Sequence, residues 1–533
     1  MNCFNFRFPF GASLSPVVDR ADHRPRGARR LATMASAFAL VSSLATGCGD
    51  SDSGSGWGDG GNAGVGQGGA QDFGQFRQIL EEGGIPGPET LDDVGFFNEH
   101  KIELPSPDCG EDVCIHGLLG VMGNMISGSN CTVVLLGMNT PIDPTQLERP
   151  PLNLTLVVDV SGSMGGEKIA ALRDGLERMF FELQPEDRIN LVAFGSEATI
   201  LAEAVSPDDA GLANAVAGLD AEGSTNLYDG LRRGYELATT HHDVARQNRL
   251  LLLSDGVATA GITSDAKILE LAEAYGGEGL TLSTIGLGTD FDPDLMRGLS
   301  EKGAGAFYFV EEPAAVREVF VEEANAFLVP LAHRVELDLD VFAGYDLRRV
   351  YGTKSVEIVG NSAFIEIPTL QIAHRTSDAP DGSGRRGGGG AILAELTPTG
   401  DAPAEVGDIL FAYEKPDGSE VVTQQVEVRS PLMPWETPEE GFFADRSVEK
   451  SFVMLNLFVG FKMAAERAEA GDDPGAIAVL TALDQNVGDW ERKNDDEDIA
   501  DDLVYVRLFI QNLEARGASS SRPAPVPEPW PAD

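Results

Sequence analysis

The chain has 533 residues, too many for one compact core, and 42% are hydrophobic, enough for most of it to fold as roughly two to four domains. Its 39 Lys and Arg face 85 Asp and Glu, a formal net charge of −46 with no long basic run to offset it. That balance argues against nucleic acid and anionic membrane surfaces as partners, because binding a polyanion requires cationic neutralisation.

At the N-terminus Arg20, Arg24, Arg26, Arg29 and Arg30 precede a short apolar run, LATMASAFALVSSL, at 31–44. A basic region followed by such a run reads as an export signal, and the run is too short to span a bilayer. It ends Leu44-Ala45-Thr46-Gly47-Cys48, which is similar to a bacterial lipobox, with Cys48 as the residue to be diacylated. Ala45 stands where that pattern prefers Leu, and Ala45-Thr46-Gly47 also suits an ordinary signal peptidase. Residues 1–47 are therefore expected to be a signal peptide. The protein is expected in a bacterial cell envelope, periplasmic or at the cell surface, attached to membrane only through a lipid on Cys48. Residues 48–72 are rich in Gly and Ser and read as a flexible tether.

Residues 73–150 form an N-terminal extension, with a short helix expected at 76–82 and strand-like residues at 113–137 that are candidates to join a later β-domain. In an exported protein, Cys109, Cys114 and Cys131 suggest one disulfide with one thiol left over. The sharper alternative, zinc on Cys109, Cys114, His116 and Cys131, rests on Cys-x4-Cys spacing alone.

Over 151–329, short apolar runs at 152–158, 189–194, 249–254, 280–288 and 306–310 alternate with helical stripes at 167–183, 226–240, 264–275, 292–301 and 313–327. Repeated βα units of this length predict an α/β fold with a doubly wound, Rossmann-like parallel sheet. Beyond Pro330 the period changes to two, with strands at 333–341, 362–368, 391–398, 408–415 and 420–429, so 330–430 reads as an antiparallel β-domain. Residues 431–516 return to helical spacing, broken at AGDDPG and near KNDDED, and predict a small C-terminal bundle in which 451–461 is a core helix. The Pro-rich tail 517–533 reads as extended and solvated.

Ligands of open parallel sheets bind at the carboxyl ends of strands. Three polar stretches follow strands here: Asp159-Val160-Ser161-Gly162-Ser163, GSTNLYDG with Thr225, and Asp255-Gly256. Asp159, Ser161, Ser163, Thr225 and Asp255 offer oxygen and neither nitrogen nor sulfur, which selects a hard cation: Mg²⁺, with Mn²⁺ or Ca²⁺ as substitutes.

This set, Asp-x-Ser-x-Ser with a distant Thr and a distant Asp, resembles the metal-ion-dependent adhesion site of von Willebrand factor type A (VWA) domains. FGQFRQILEEGGIPGPETLDDVGFFN and ERPPLNLTLVVDVSGSM further resemble a bacterial subgroup of exported VWA lipoproteins, and 331–515 do so more loosely. The resemblance implies that Ser161 and Ser163 bind the ion directly, and that Asp159 and Asp255 act mostly through water. It also implies an open coordination position that an Asp or Glu of a partner protein or polymer fills, in a protein that is not an enzyme.

Three other readings compete. A vestigial site would only hydrogen-bond its own loops. A structural or assembly subunit would organise an envelope complex, with an ATPase or a secretion system. A serine hydrolase would use Ser163 as nucleophile with Asp255 and His333, but Ser161 stands where the nucleophile turn wants Gly, and Asp159 and Thr225 would be left without a role.

Overall fold

The computed structural model describes residues 63–66, 73–142, 150–255, 257–276, 280–287, 292–310, 330–353, 355–372, 390–399, 404–416, 418–433, 436 and 438–518. The expected signal peptide 1–47, Cys48, the helix expected at 313–327 and the tail from 519 lie outside the described residues. Within the stretch read as a tether, Ala63–Gly66 forms a strand, β1, hydrogen-bonded to two other strands. Backbone amides need only partners, and a glycine-rich segment supplies them as well as any other.

Two short helices follow, α1 (Phe73–Glu81) and α2 (Asp93–Asn98), the second capped by Asp92 accepting from the Gly95 amide. An antiparallel hairpin comes next, β2 (Cys114–Gly123) and β3 (Asn130–Thr140). Cys109 and Cys114 form a disulfide with Cα atoms 5.7 Å apart, and Cys131, the thiol expected to be left over, is disulfide-bonded as well. The zinc alternative fails on register: Cys114 lies opposite Asn139 whereas Cys131 lies opposite Met122, eight residues along the ladder or about 27 Å. His116 instead meets Asn139 Oδ1 at 2.8 Å.

The α/β region runs β4 (Leu152–Asp159), α3 (Glu167–Glu182), β5 (Arg188–Phe194), β6 (Ala198–Val205), α4 (Ala210–Ala217), α5 (Leu227–Thr240), β7 (Gln247–Ser254), α6 (Asp265–Gly276), β8 (Thr281–Leu287), α7 (Pro293–Lys302) and β9 (Ala304–Val310). Its six-stranded sheet has the order β6-β5-β4-β7-β8-β9. Five strands are parallel, as the apolar runs predict, and β4 is buried along its whole length. The sequence reading omitted β6, which pairs antiparallel with β5 at the sheet edge, and α4. An edge strand is half solvated, so ATILAEAV lacks the continuous apolar run that marks its neighbours.

Helices cover both faces. One core joins Leu156 and Val158 to Leu172 and Leu176 of α3; the other joins Val157 and Phe194 to Leu231 and Tyr235 of α5. The α5 helix lies close because Gly234 faces the sheet, where a Cβ would come within 2.4 Å of Val157 Cγ2. Gly234→Val is therefore expected to destabilise the protein by about 1–3 kcal/mol through overpacking. A urea midpoint equal to wild type would contradict that close approach.

The remaining strands are β10 (Pro330–Val341), β11 (Tyr345–Tyr351), β12 (Val356–Val359), β13 (Ser362–Ile372), β14 (Ile392–Pro398), β15 (Glu405–Glu414), β16 (Val421–Arg429) and β17 (Phe442–Phe443). With β1, β2 and β3 they form an eleven-stranded antiparallel sheet whose main path is β11-β14-β3-β1-β13-β10-β15-β16. Leu337, Leu339, Ile365, Ile367, Ile409 and Phe411 point to one core, and Glu336, Asp340 and Glu366 alternate outward.

Three helices close the chain: α8 (Arg446–Glu469), α9 (Asp473–Asn494) and α10 (Glu497–Ala515). Residues 451–461 are buried all round within α8, as a core helix requires. Among the described residues no helix is long and apolar enough to cross a membrane. Phe73, Phe76, Phe96 and Phe97 of α1 and α2 pack, tilted or edge-on, against Phe458, Phe461 and Phe509 of this bundle. A buried polar pair secures the same contact, His100 with Asp502 at 2.8 Å, while Arg77 with Glu99 at 2.8 Å joins α1 to the end of α2.

Candidate metal centre

Strand order reverses at β4, because the chain leaves it for β5 on one side and returns to β7 on the other. The carboxyl ends of β4 and β7 therefore border the crevice in which open sheets bind ligands. Asp159 is the last residue of β4, and Asp255 directly follows the last residue of β7.

After Asp159 the chain makes a single tight turn, Gly162–Met164, before α3 starts at Glu167. Gly166 caps that helix at φ +82°, a conformation glycine adopts without a steric penalty, so Gly165-Gly166 is where the loop bends. The loop before α5 is tied to this turn through its backbone: Glu222 N–H donates to Val160 O at 2.7 Å, and Gly162 N–H donates to Gly223 O at 3.1 Å.

Four of the five expected residues join one hydrogen-bonded chain. Asp159 Oδ1 accepts from the Ser161 amide at 2.8 Å, the Ser161 and Ser163 hydroxyls lie 3.0 Å apart, and Ser163 donates to Asp255 Oδ1 at 2.8 Å. Thr225 is buried beside them, held by its backbone: its N–H donates to Thr259 Oγ1 at 3.0 Å, and its carbonyl accepts from Thr259 and Ala260. Its hydroxyl bonds none of the other four.

Two residues absent from the sequence reading complete the cluster. Ser254 donates to Asp159 Oδ2 at 2.6 Å, and Lys168 Nζ lies 2.5 Å from Asp255 Oδ2. Ser254 immediately precedes Asp255, so its side chain takes the alternate direction along the strand end. Lys168 carried a signal of its own: a cation in the first turn of a helix opposes the macrodipole and calls for a nearby carboxylate.

Asp159 and Asp255 are both fully buried. Burial pushes the Asp159 carboxyl above the usual carboxylate range; the Ser254 and Ser161 hydrogen bonds pull it down, and the charge of Asp255 adds to the rise. Two buried carboxylates, only one of them paired with a lysine, form a setting in which a further positive charge is favourable. Among the described residues no three His, Cys, Asp or Glu side chains group to hold a metal by themselves. An ion here must take hydroxyls as well, and Ser161, Ser163 and Thr225 supply hard neutral oxygens that fit Mg²⁺ better than a soft metal.

The nucleophile reading of Ser163 requires His333 as its base, and the two do not meet. Ser163 bonds Ser161 and Asp255, and His333 lies on β10, where Nδ1 meets Thr369 Oγ1 at 3.2 Å.

A doubly wound sheet with an oxygen-lined cleft at its switch point defines a Rossmann-like α/β domain. Residues 153–322 match the family model described as von Willebrand factor type A domain, and the chain carries a VWA domain over that stretch. Among curated relatives it is 29% identical over 196 residues to "Uncharacterized protein YfbK" of Escherichia coli K12, covering 36% of this chain and 34% of that protein. It is 30% identical over 173 residues to "Uncharacterized protein sll0103" of Synechocystis, covering 32% of this chain and 40% of the relative. Human inter-alpha-trypsin inhibitor heavy chain H4 is 29% identical over 199 residues, 35% of this chain and 21% of that one. The chain thus spans well under half the length of these relatives. A solved "von Willebrand factor type A from Catenulispora acidiphila" superposes with a TM-score of 0.49 at 14% identity, over 72% of this chain and 88% of that one. VWA domains typically mediate protein interactions and commonly bind a divalent metal.

Proposed function

We propose that this protein is a non-enzymatic binding module of the bacterial cell envelope, exported and held to membrane by a lipid on Cys48. It captures a protein or polymer ligand through a divalent cation, Mg²⁺ before Mn²⁺ or Ca²⁺, at Asp159, Ser161, Ser163, Thr225 and Asp255. The observation that carries this reading is the continuous hydrogen-bonded chain from Asp159 through Ser161 and Ser163 to the buried Asp255.

When bound, the cation supplies a Lewis-acidic centre whose open position takes a ligand carboxylate. The protein's own groups prepare for it. Ser254 and the Ser161 amide fix both oxygens of Asp159, and the neutral serine hydroxyls leave the ion much of its charge. An acidic ligand is repelled by the chain's net charge of −46. Physiological salt screens that repulsion beyond about 8 Å, which leaves contact with the ion decisive.

Immobilised protein should retain a ligand from envelope extract in Mg²⁺, release it in EDTA, and fail to retain it as Ser161→Ala. Equal recovery of the same complex in EDTA and with Ser161→Ala would contradict this reading and favour the assembly-subunit alternative.

A further inference from the structure

Lys168 lies in the first turn of α3, one residue past the helix start, where the macrodipole disfavours a cation. Its ammonium is nonetheless 2.5 Å from Asp255 Oδ2, with the lysine side chain 25% exposed and the aspartate fully buried. On the other oxygen of Asp255 sits the Ser163 hydroxyl at 2.8 Å. Both oxygens of Asp255 are therefore engaged by side chains from the segment that begins at the Asp159 turn.

We propose that Lys168 is a tethered counter-ion of the metal centre, which competes with the divalent cation for Asp255 and thereby sets the affinity and charge selectivity of the site. The inference rests on the reading of the five oxygen-bearing residues as a metal site.

One buried carboxylate here has two claimants. Without a divalent ion, Asp255 would be an uncompensated buried charge, and Lys168 removes that penalty. A divalent ion that uses Asp255 must either displace the ammonium or sit beside it, and both alternatives reduce its net gain. A monovalent ion would exchange one positive charge for another that is already attached to the chain, at high effective concentration, and so gains nothing. Only an ion of higher charge density outcompetes the lysine. The arrangement thus keeps Na⁺ and K⁺ out and lets the site load above a threshold of divalent ion. Lys168 is a positioning and selectivity residue here; it is not itself a ligand of the ion.

The test is Mn²⁺ binding by isothermal titration to the full chain, as wild type, Lys168→Met, Lys168→Gln and Ser161→Ala. Met keeps the length and packing of the stem, and Gln keeps a hydrogen-bond donor, so one serves if the other folds poorly by circular dichroism. The expected result is Mn²⁺ binding about tenfold tighter in both lysine variants, equivalent to about 1.4 kcal/mol, and markedly weaker in Ser161→Ala. Raising KCl at constant ionic strength, with a bulky organic cation as the balancing ion, should weaken Mn²⁺ binding more in Lys168→Met than in wild type. Unchanged or weaker binding in both lysine variants, with Ser161→Ala still defective, would overturn the counter-ion role and leave the metal centre standing. Absence of Mn²⁺ binding in all four proteins would overturn the metal centre, and the counter-ion proposal with it.

Discussion

Asp255→Ala is expected to weaken Mn²⁺ binding by about 10- to 100-fold, the range for losing a group that orients a metal site from behind its direct ligands. Asp255 is placed for that role: fully buried, it accepts from Ser163 on one oxygen and faces Lys168 on the other. Removing the carboxylate frees the Ser163 hydroxyl to rotate and leaves the ammonium of Lys168 in the crevice without its partner. The neighbouring positive charge then opposes the ion directly. Asp255→Asn should retain the hydrogen bond from Ser163 and still lose most of the affinity, because charge is the larger part of the effect. The fold should survive both changes, since the cores on either side of the sheet do not include Asp255. Titration calorimetry together with a thermal melt separates the outcomes. Wild-type affinity in a folded Asp255→Ala protein would remove Asp255 from the site.

Arg77→Ala is expected to cost about 3–5 kcal/mol of stability, the usual consequence of breaking a buried ion pair from one side. Arg77 meets Glu99 through two nitrogens, at 2.8 and 3.2 Å, and Glu99 has no exposed surface. The guanidinium also lies over the rings of Phe73 and Tyr505, so it ties α1 and α2 to α10 as well as to each other. Without it the Glu99 carboxylate is left buried and far less well compensated. The double change Arg77→Met with Glu99→Leu should recover most of the loss, because it removes both charges while keeping apolar volume. Urea denaturation of the two single variants and the double variant gives the coupling directly. A midpoint within error of wild type for Arg77→Ala would show that the Arg77–Glu99 pair contributes nothing to holding the extension in place.

The parts of this structure that were legible in the sequence are those whose signal is local. Residues 152–158 are buried without a break although Asn153 and Thr155 interrupt their apolar run, and 250–253 are four consecutive leucines, as expected of central parallel strands covered on both faces. Asp159, Ser161 and Ser163 were legible for a related reason: a polar cluster directly after such a strand lands where ligands bind. Edges and irregularities were not legible. β6 shows a solvated side, and β11 has a register shift between Leu347 and Arg349 that breaks the alternation of YDLRRVY. β1 has the composition of a linker and is a strand only because its backbone finds partners on both sides.

Long-range pairing was the other hidden quantity. Lys168 meets Asp255 across 87 positions and His100 meets Asp502 across 402, and no spacing rule reaches that far. The placement of the 73–101 segment against the C-terminal helices depends on such pairs. Thr225 shows an intermediate case. Its identity pointed to the site, yet its hydroxyl stands apart from the hydrogen-bonded chain, and its position comes from backbone ties to Thr259 and Ala260.

The most direct measurement is an anomalous difference map from crystals of the full chain grown in MnCl₂. One strong peak is expected at the carboxyl ends of β4 and β7, about 2 Å from the Ser161 and Ser163 hydroxyl oxygens. A featureless map at that position, with Ser163 and Lys168 still bound to Asp255 in saturating Mn²⁺, would contradict it.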